Sequence, residues 1–488
     1  MRNFLLSKSV FTLIVCVVSV PICSAQKFKT LAIFDGPDGD NPYSAGLVQG
    51  TDGNFYGTSA DGGGRYNAGT VFKITPAGQV TTIYDFCSQP NCTDGSMPEE
   101  GVVLGRNGDF YGTTSSGGGV NGGGTIFEIT PSGRLQTLYS FCSQSGCIDG
   151  YQPGAGLVQG TNENFYGTTL GGGTYDDGTI FEITAAGELT TLYNFCAGCT
   201  DGYAPEALVL ATNGNFYGTT RLGISNKGTL FEITPAGKLT TLYSFCTQSS
   251  CGDGSYPTGI VQAVNGNFYG TTTSGGANSS DCFGSGCGTV FEITPAGKLT
   301  TLYSFCSQAN CTDGATPDAS LIQAIDGNFY GTTYLGGASV GGCNGSGCGT
   351  IFEITPAGKL TTLHSFCSKP NCADSNYPWA PIMQATDGAF FGTTTGGGIG
   401  SIFGLATGLH PFVESLPAAG KIGAAVMILG NNLTNATGVS FNGIEATFKV
   451  VSANEIRTSV PSGATTGLIS VTLPGQSLKS NLPFHVIP

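Results

Sequence analysis

Seven carboxylates stand outside an otherwise repeated pattern in this chain: Glu99, Glu100, Asp176, Asp177, Glu206, Asp281 and Asp318. Two carboxyls flanking a glycosidic bond suffice for sugar hydrolysis, one as acid and the other as base or nucleophile. Such a pair is needed once per site, so residues that break a repeat are its natural candidates. The recurrent Glu128, Glu182, Glu232, Glu292 and Glu353 occupy equivalent strand positions instead. Asp38, Asp94, Asp149, Asp201, Asp253, Asp313 and Asp374 each precede a proline by four residues. A carboxylate at that point of a loop serves as a turn former that caps its own amides. Structural calcium is the alternative, but no complete ligand loop accompanies these residues. Other chemistries lack their residues: there is no Gly-x-Ser-x-Gly elbow, no phosphate loop and no His-Glu-x-x-His. The repeat region has one histidine, His364, where its sister repeats have tyrosine. No catalytic residue is assigned, and the balance favours binding over catalysis.

The aromatic residues that depart from the repeat suggest what would be bound. Trp379, the only tryptophan, lies near Tyr377 in the loop leading into the last repeat, with Phe283 and Tyr334 in or beside neighbouring loops. Tyr151, Tyr203 and Tyr256 extend this set. Aromatic faces with acidic and amide neighbours suit sugars, whose C–H faces are apolar and whose hydroxyls need acceptors. The competing reading is loop packing, since Trp and Tyr also shield hydrophobic edges.

Of the 18 cysteines, Cys16 and Cys23 precede the repeats, and the others fall into local pairs. Six pairs share one loop type: Cys87/Cys92, Cys142/Cys147, Cys196/Cys199, Cys246/Cys251, Cys306/Cys311 and Cys367/Cys372. Cys282/Cys287 and Cys343/Cys348 form a second type. Pairing this regular predicts disulfides and an oxidising compartment, each bridge contributing on the order of 2 kcal/mol. Zinc would require two pairs, or a pair and histidines, to converge on one ion. No metal and no cofactor is expected.

The elements that must position these residues follow from the phrase Phe-Tyr-Gly-Thr or a near copy, which recurs with its glycine at Gly57, Gly112, Gly167, Gly218, Gly270, Gly331 and Gly392. A period in this range indicates propeller blades or solenoid coils. In the repeat from Ala207 to Phe245, four short strands a to d are separated by an Asn-Gly turn, a glycine-rich loop and a Pro-Ala-Gly turn. Strands a, b and c occur seven times, but no strand d follows the last. Residues Phe28 to Phe34 match strand d in pattern and precede the first strand a. The expectation is an all-β chain: a seven-bladed β-propeller closed by its N-terminal strand, which removes an exposed edge. The cysteine pairs and long loops then share one face. From about His410 the pattern changes to short strands of a small immunoglobulin-like β-sandwich.

Residues 1–25 have the basic start, apolar run and small-residue end of a secretory signal. The remaining chain carries 16 basic and 32 acidic residues, which argues against nucleic acid as a partner. No later segment is apolar enough to span a membrane, and the end His485-Val486-Ile487-Pro488 carries no sorting tail. The phrases Gly-Leu-Val-Gln-Gly, Asn-Phe-Tyr-Gly-Thr-Thr, Phe-Glu-Ile-Thr-Pro-Ala-Gly and Leu-Tyr-Ser-Phe-Cys resemble the GloVer tandem repeats of exported bacterial proteins. The tail, with its Gly-x-Asn-Leu step, its Val-x-Phe-Asn-Gly step and Val460 to Ala464, resembles IPT/TIG domains. These resemblances imply export and tandem architecture, with no established reaction. The expected division is a signal at 1–25, a propeller at 26–408 and an IPT/TIG-like domain at 409–488. The expected function is extracellular or cell-surface binding of polysaccharide or an envelope protein through the loop face. A polysaccharide hydrolase or lyase and a purely structural surface protein are the alternatives.

Overall fold

The computed structural model describes residues 26–487 except 45, 120, 197, 199, 224, 225, 279–281, 340–342, 397 and 398, and omits the side chains at 283 and 344. The expected signal at 1–25 lies outside the described residues, as do Cys199, Asp281 and the side chain of Phe283. The described chain is all-β, with no α-helix.

Seven antiparallel sheets, I to VII, follow the seven repeats. Sheet IV shows the pattern: strand a is Tyr203–Leu210, b is Phe216–Leu222, c is Thr229–Ile233 and d is Leu239–Ser244. Sheet VII takes its fourth strand from the other end of the repeat region. The N-terminal strand Lys27–Ile33 pairs antiparallel with Ser401–Ala406, Lys27 opposite Ala406 and Ile33 opposite Ser401.

The repeated phrase is explained residue by residue by this stacking. Its tyrosine packs on the phenylalanine of the next sheet, as in Tyr111–Phe165 at 4.0 Å and Tyr217–Phe268 at 4.2 Å. The same contact joins sheet VII back to sheet I, where Phe391 meets Phe55 at 4.3 Å. Its glycine lies under the strand-c phenylalanine: a Cβ on Gly112 would stand 2.6 Å from Phe127 Cζ. Its last threonine shares a buried hydroxyl contact with strand c, Thr114 to Thr125 at 2.9 Å. Strand-a glutamines link neighbours as well. Gln262 Oε1 accepts from Thr212 N at 2.8 Å, and Gln49 Oε1 of sheet I accepts from Thr386 N of sheet VII at 2.9 Å.

The C-terminal segment folds as two four-stranded sheets and a parallel pair, Ala419–Lys421 with His485–Ile487, around a core that includes Val413, Ile428, Val439, Phe441, Ile456 and Phe484. It sits on the face carrying the tight a-to-b turns. Phe412 N donates to Thr386 O at 3.0 Å, Asn431 Nδ2 to Thr386 Oγ1 at 2.7 Å, and an Arg457 guanidinium nitrogen to Arg106 O at 2.8 Å. Met427 and Leu429 are buried in one cluster with Val102, Leu104 and Phe110, so apolar surface continues between the two parts.

Candidate ligand-binding cavity

The recurrent acids have structural partners. Asp94 Oδ2 accepts from the Tyr84 hydroxyl at 2.8 Å and from Ser88 N at 2.9 Å, closing its loop; Asp149, Asp253 and Asp313 repeat the arrangement. His364 replaces the tyrosine in sheet VI. Its Nε2 lies 3.2 Å from Asp374 Oδ2, and its imidazole stacks on Phe28 at 3.8 Å. Burial lowers the His364 pKa, with Asp374 opposing that shift. Glu128, Glu182, Glu232 and Glu292 accept from the tyrosine of the repeated phrase, as from Tyr111 Oη at 2.6 Å, whereas Glu353 accepts from Asn328 Nδ2 at 2.6 Å and Tyr330 donates to Asp326.

The cysteines form local disulfides at Cys87–Cys92, Cys142–Cys147, Cys246–Cys251, Cys282–Cys287, Cys306–Cys311, Cys343–Cys348 and Cys367–Cys372. Cys196 is also disulfide-bonded. Two pairs do converge: the sulfurs of Cys282, Cys287, Cys306 and Cys311 all lie within 4.8 Å of one another. Closed as disulfides, these sulfurs lack the thiolate that zinc requires.

A cavity of about 1170 Å³ runs inward from the loop face. The proline four residues after each recurrent aspartate fixes its geometry, because the next residue faces the cavity in all seven repeats. Those residues are Tyr43, Glu99, Gly154, Glu206, Thr258, Asp318 and Trp379. The position is variable: Glu99, Glu206 and Asp318 are carboxylates, Tyr43 and Trp379 aromatic, and the others Gly154 and Thr258; the residue after it varies as well, with Ser44, Glu100 and Gly259 standing where the other repeats have alanine. Strand-a residues line the wall, and Glu414, Leu416, Pro417 and Leu429 of the C-terminal domain form the floor.

The lining divides into an aromatic sector and acidic positions. Trp379 stacks on Tyr43 at 4.5 Å and meets Tyr334 edge-on at 4.6 Å, and Tyr334 stacks on Tyr377 at 4.8 Å. Each such pair is worth roughly 0.5–1.5 kcal/mol beyond its burial. Trp379, Tyr377 and Tyr334 therefore come together, but of the three only Trp379 lines the cavity. Tyr256 reaches the cavity separately, under Lys227 Nζ at 4.6 Å from its centroid. Tyr203 is turned to Asn226 at 2.9 Å, while Tyr151 packs over Gly171; neither lines the cavity.

Of the carboxylates outside the repeat, Glu99, Glu100, Glu206 and Asp318 line the cavity. Asp176 is elsewhere, accepting from Gly172 N at 3.1 Å, and Asp177 lies outside the lining. The four cavity carboxyls keep contact with solvent yet are surrounded by protein. Burial pushes Glu100 up to about 8, with Glu99 and Glu206 adding to the shift and a Ser44 hydrogen bond opposing it. Burial brings Glu206 to about 7, against the pull of Arg221, whose guanidinium lies 3.2 Å away. Asp318 is raised to about 6 by burial, again opposed by Arg221. Such groups can donate as acids or accept as carboxylates near neutral pH.

Sequence reasoning missed Tyr43, Arg221 and Glu414. Tyr43 was available from the repeat itself, as the residue after Pro42 in the register that yields Trp379 after Pro378. Glu414 belongs to the other domain and carries no comparable signal.

The Gloeobacter/Verrucomicrobia repeat model matches residues 17–227, 143–342 and 222–416, and the IPT/TIG domain model matches 411–486. No match is found among curated proteins. A solved extracellular domain assigned to a hybrid two component system of B. thetaiotaomicron shares 12% identity at a TM-score of 0.50, covering 95% of this chain and 60% of that one. A second such domain from the same organism gives 11% identity, a TM-score of 0.49, and coverage of 94% and 57%. The chain thus spans less than two thirds of the length of these structures, and the first likeness concerns the fold alone. Among the described residues, no helix is long and apolar enough to cross a membrane. With its repeats matched from 17 to 416, the chain belongs to the Gloeobacter/Verrucomicrobia repeat family and carries an IPT/TIG domain at its C-terminal end.

Proposed function

We propose that this is an exported, extracellular binding protein in which the seven sheets are the blades of a closed propeller and the cavity mouth holds a saccharide. In this reading residues 1–25 are the export signal, 26–408 the propeller and 409–488 the IPT/TIG sandwich. The observation that carries the reading is the variable position after each repeated proline, whose seven residues all line one cavity. Variable residues gathered at one cavity on a repeated frame are how a fold hosts recognition. The Tyr43–Trp379 stack offers an apolar face for a pyranose, while Glu206, Asp318 and Thr258 offer acceptors for its hydroxyls. Disulfides support an oxidising location, and the fold shared with an extracellular domain agrees with it.

The test is binding of the protein lacking residues 1–25 to bacterial and plant polysaccharides, with Trp379→Ala alongside. Binding that falls roughly 30-fold in the variant, the cost of losing an aromatic hot spot of about 2 kcal/mol, is expected. Failure to bind any glycan, or equal binding by the variant, would overturn the reading.

One observation favours polysaccharide cleavage as a second reading. Burial raises Glu100 to about 8 beside Glu206 at about 7, which poises a carboxyl to act as an acid near neutral pH. Release of reducing ends or unsaturated products that Glu100→Gln abolishes would establish it. Intact polymer after prolonged incubation with the parent protein would exclude it for that polymer.

A further inference from the structure

The cavity is uneven in charge as well as in shape. Five carboxyls line it, Glu99, Glu100, Glu206, Asp318 and Glu414, against the guanidinium groups of Arg106 and Arg221. Neither cation is unengaged. Arg106 donates to Gly160 O at 3.0 Å and pairs with Glu163 at 3.5 Å, and Arg221 pairs with Glu206 at 3.2 Å. Asp318, raised only to about 6, keeps its charge at neutral pH beside Tyr43, so an anionic ligand such as a polyuronate would meet like charge there.

Glu414 sharpens this inference. Its strand, Glu414–Leu416, is the first of the C-terminal domain and pairs with Ala425–Leu429, Glu414 lying opposite Leu429. That register places the residue at the floor, among Leu416, Pro417 and Leu429. Its side chain is half-buried, and among the described residues no hydrogen bond or ion pair reaches its carboxyl. Burial alone pushes its pKa up. A half-buried carboxyl on the cavity lining with no protein partner is open to a donor or cation that enters the cavity. At the other end, the face of Trp379 and the ring of Tyr43 lie beside Glu99 and Asp318, whose charges both act on the Tyr43 hydroxyl. Aromatic faces with carboxylates suit an ammonium group, which both attract.

We propose that the cavity is selective for an amine-bearing saccharide, a glucosamine-type oligomer whose ammonium groups are met by Asp318 at the mouth and Glu414 at the floor. This rests on the saccharide reading above and narrows it by charge. The IPT/TIG domain then contributes a ligand-contacting residue as well as closing the cavity.

The experiment titrates the chain lacking residues 1–25 with three probes: a glucosamine hexamer, its fully N-acetylated counterpart, and spermidine. Calorimetry is run beside Trp379 emission, which reports from the cavity because the chain has no other tryptophan. The glucosamine hexamer is expected to bind and to perturb Trp379, with the acetylated hexamer at least about tenfold weaker. Glu414→Gln and Asp318→Asn are each expected to weaken the glucosamine hexamer by about tenfold at an unchanged melting temperature. The mouth variant keeps the test decisive if the floor variant fails to fold. Equal or tighter binding of the acetylated hexamer would overturn the charge selectivity and leave the saccharide reading standing. Binding of spermidine alone would overturn the saccharide part, and no binding by any probe would overturn the proposal.

Discussion

At the scale of single residues, one loop position has two neighbours with different tasks. The proline is buried and packs against a glycine of the adjoining sheet, as Pro257 Cδ would stand 2.4 Å from a Cβ on Gly228. The residue after it faces the cavity and is free of that constraint. Within the strands the freedom disappears. Gly112 is held by the Phe127 ring and by Val102, whose Cγ1 would stand 3.1 Å from an added Cβ, so Gly112→Ala is expected to destabilise by about 1–3 kcal/mol through overpacking. Chemical denaturation would measure it, and a change under about 0.5 kcal/mol, the range of an unconstrained surface substitution, would contradict the packing account. The repeated Phe-Tyr-Gly-Thr could be read as a blade signature without knowing this contact. The role of its glycine could not, because the ring that excludes a side chain comes from strand c, where Phe127 pairs opposite Gly112.

At the scale of elements, the N-terminal strand replaces the missing strand d of sheet VII. Phe28 carries much of that join, stacking on His364 of sheet VI and lying 5.6 Å from Phe403 of its own sheet. Phe28→Ala is expected to cost about 3 kcal/mol, and a chain beginning at Asp35 should lose amide protection across Ser401–Ala406. Protection that survives this truncation would contradict the pairing. This element was readable because Phe28 to Phe34 repeats the strand-d pattern at the wrong end of the chain. The loops were less readable. Trp379, Tyr334 and Tyr377 share a cluster as their neighbouring loops imply, whereas Tyr151 and Tyr203 turn to Gly171 and Asn226. Side-chain direction in a loop depends on backbone turns that residue type alone does not fix.

At the scale of the whole molecule, the repeats surround a cavity and the C-terminal domain forms its floor. The sequence places that domain on the tight-turn face, since it follows strand c of sheet VII, and Phe412 and Asn431 bond there to Thr386. That it would supply Leu416, Pro417 and Glu414 to the cavity was not readable, because floor and wall are separated by the full length of the repeats. The varying position after each proline, together with Glu414 from the floor, is proposed to read the ligand that the repeated frame holds in place. The direct measurement is glycan-panel binding and thermal melting of a variant with Tyr43, Glu206, Asp318 and Trp379 all changed to alanine. The account predicts that the parent binds at least one glycan, and that the variant melts within a few degrees of it and binds none. A variant that binds as the parent does, or a parent that binds no glycan, would contradict it.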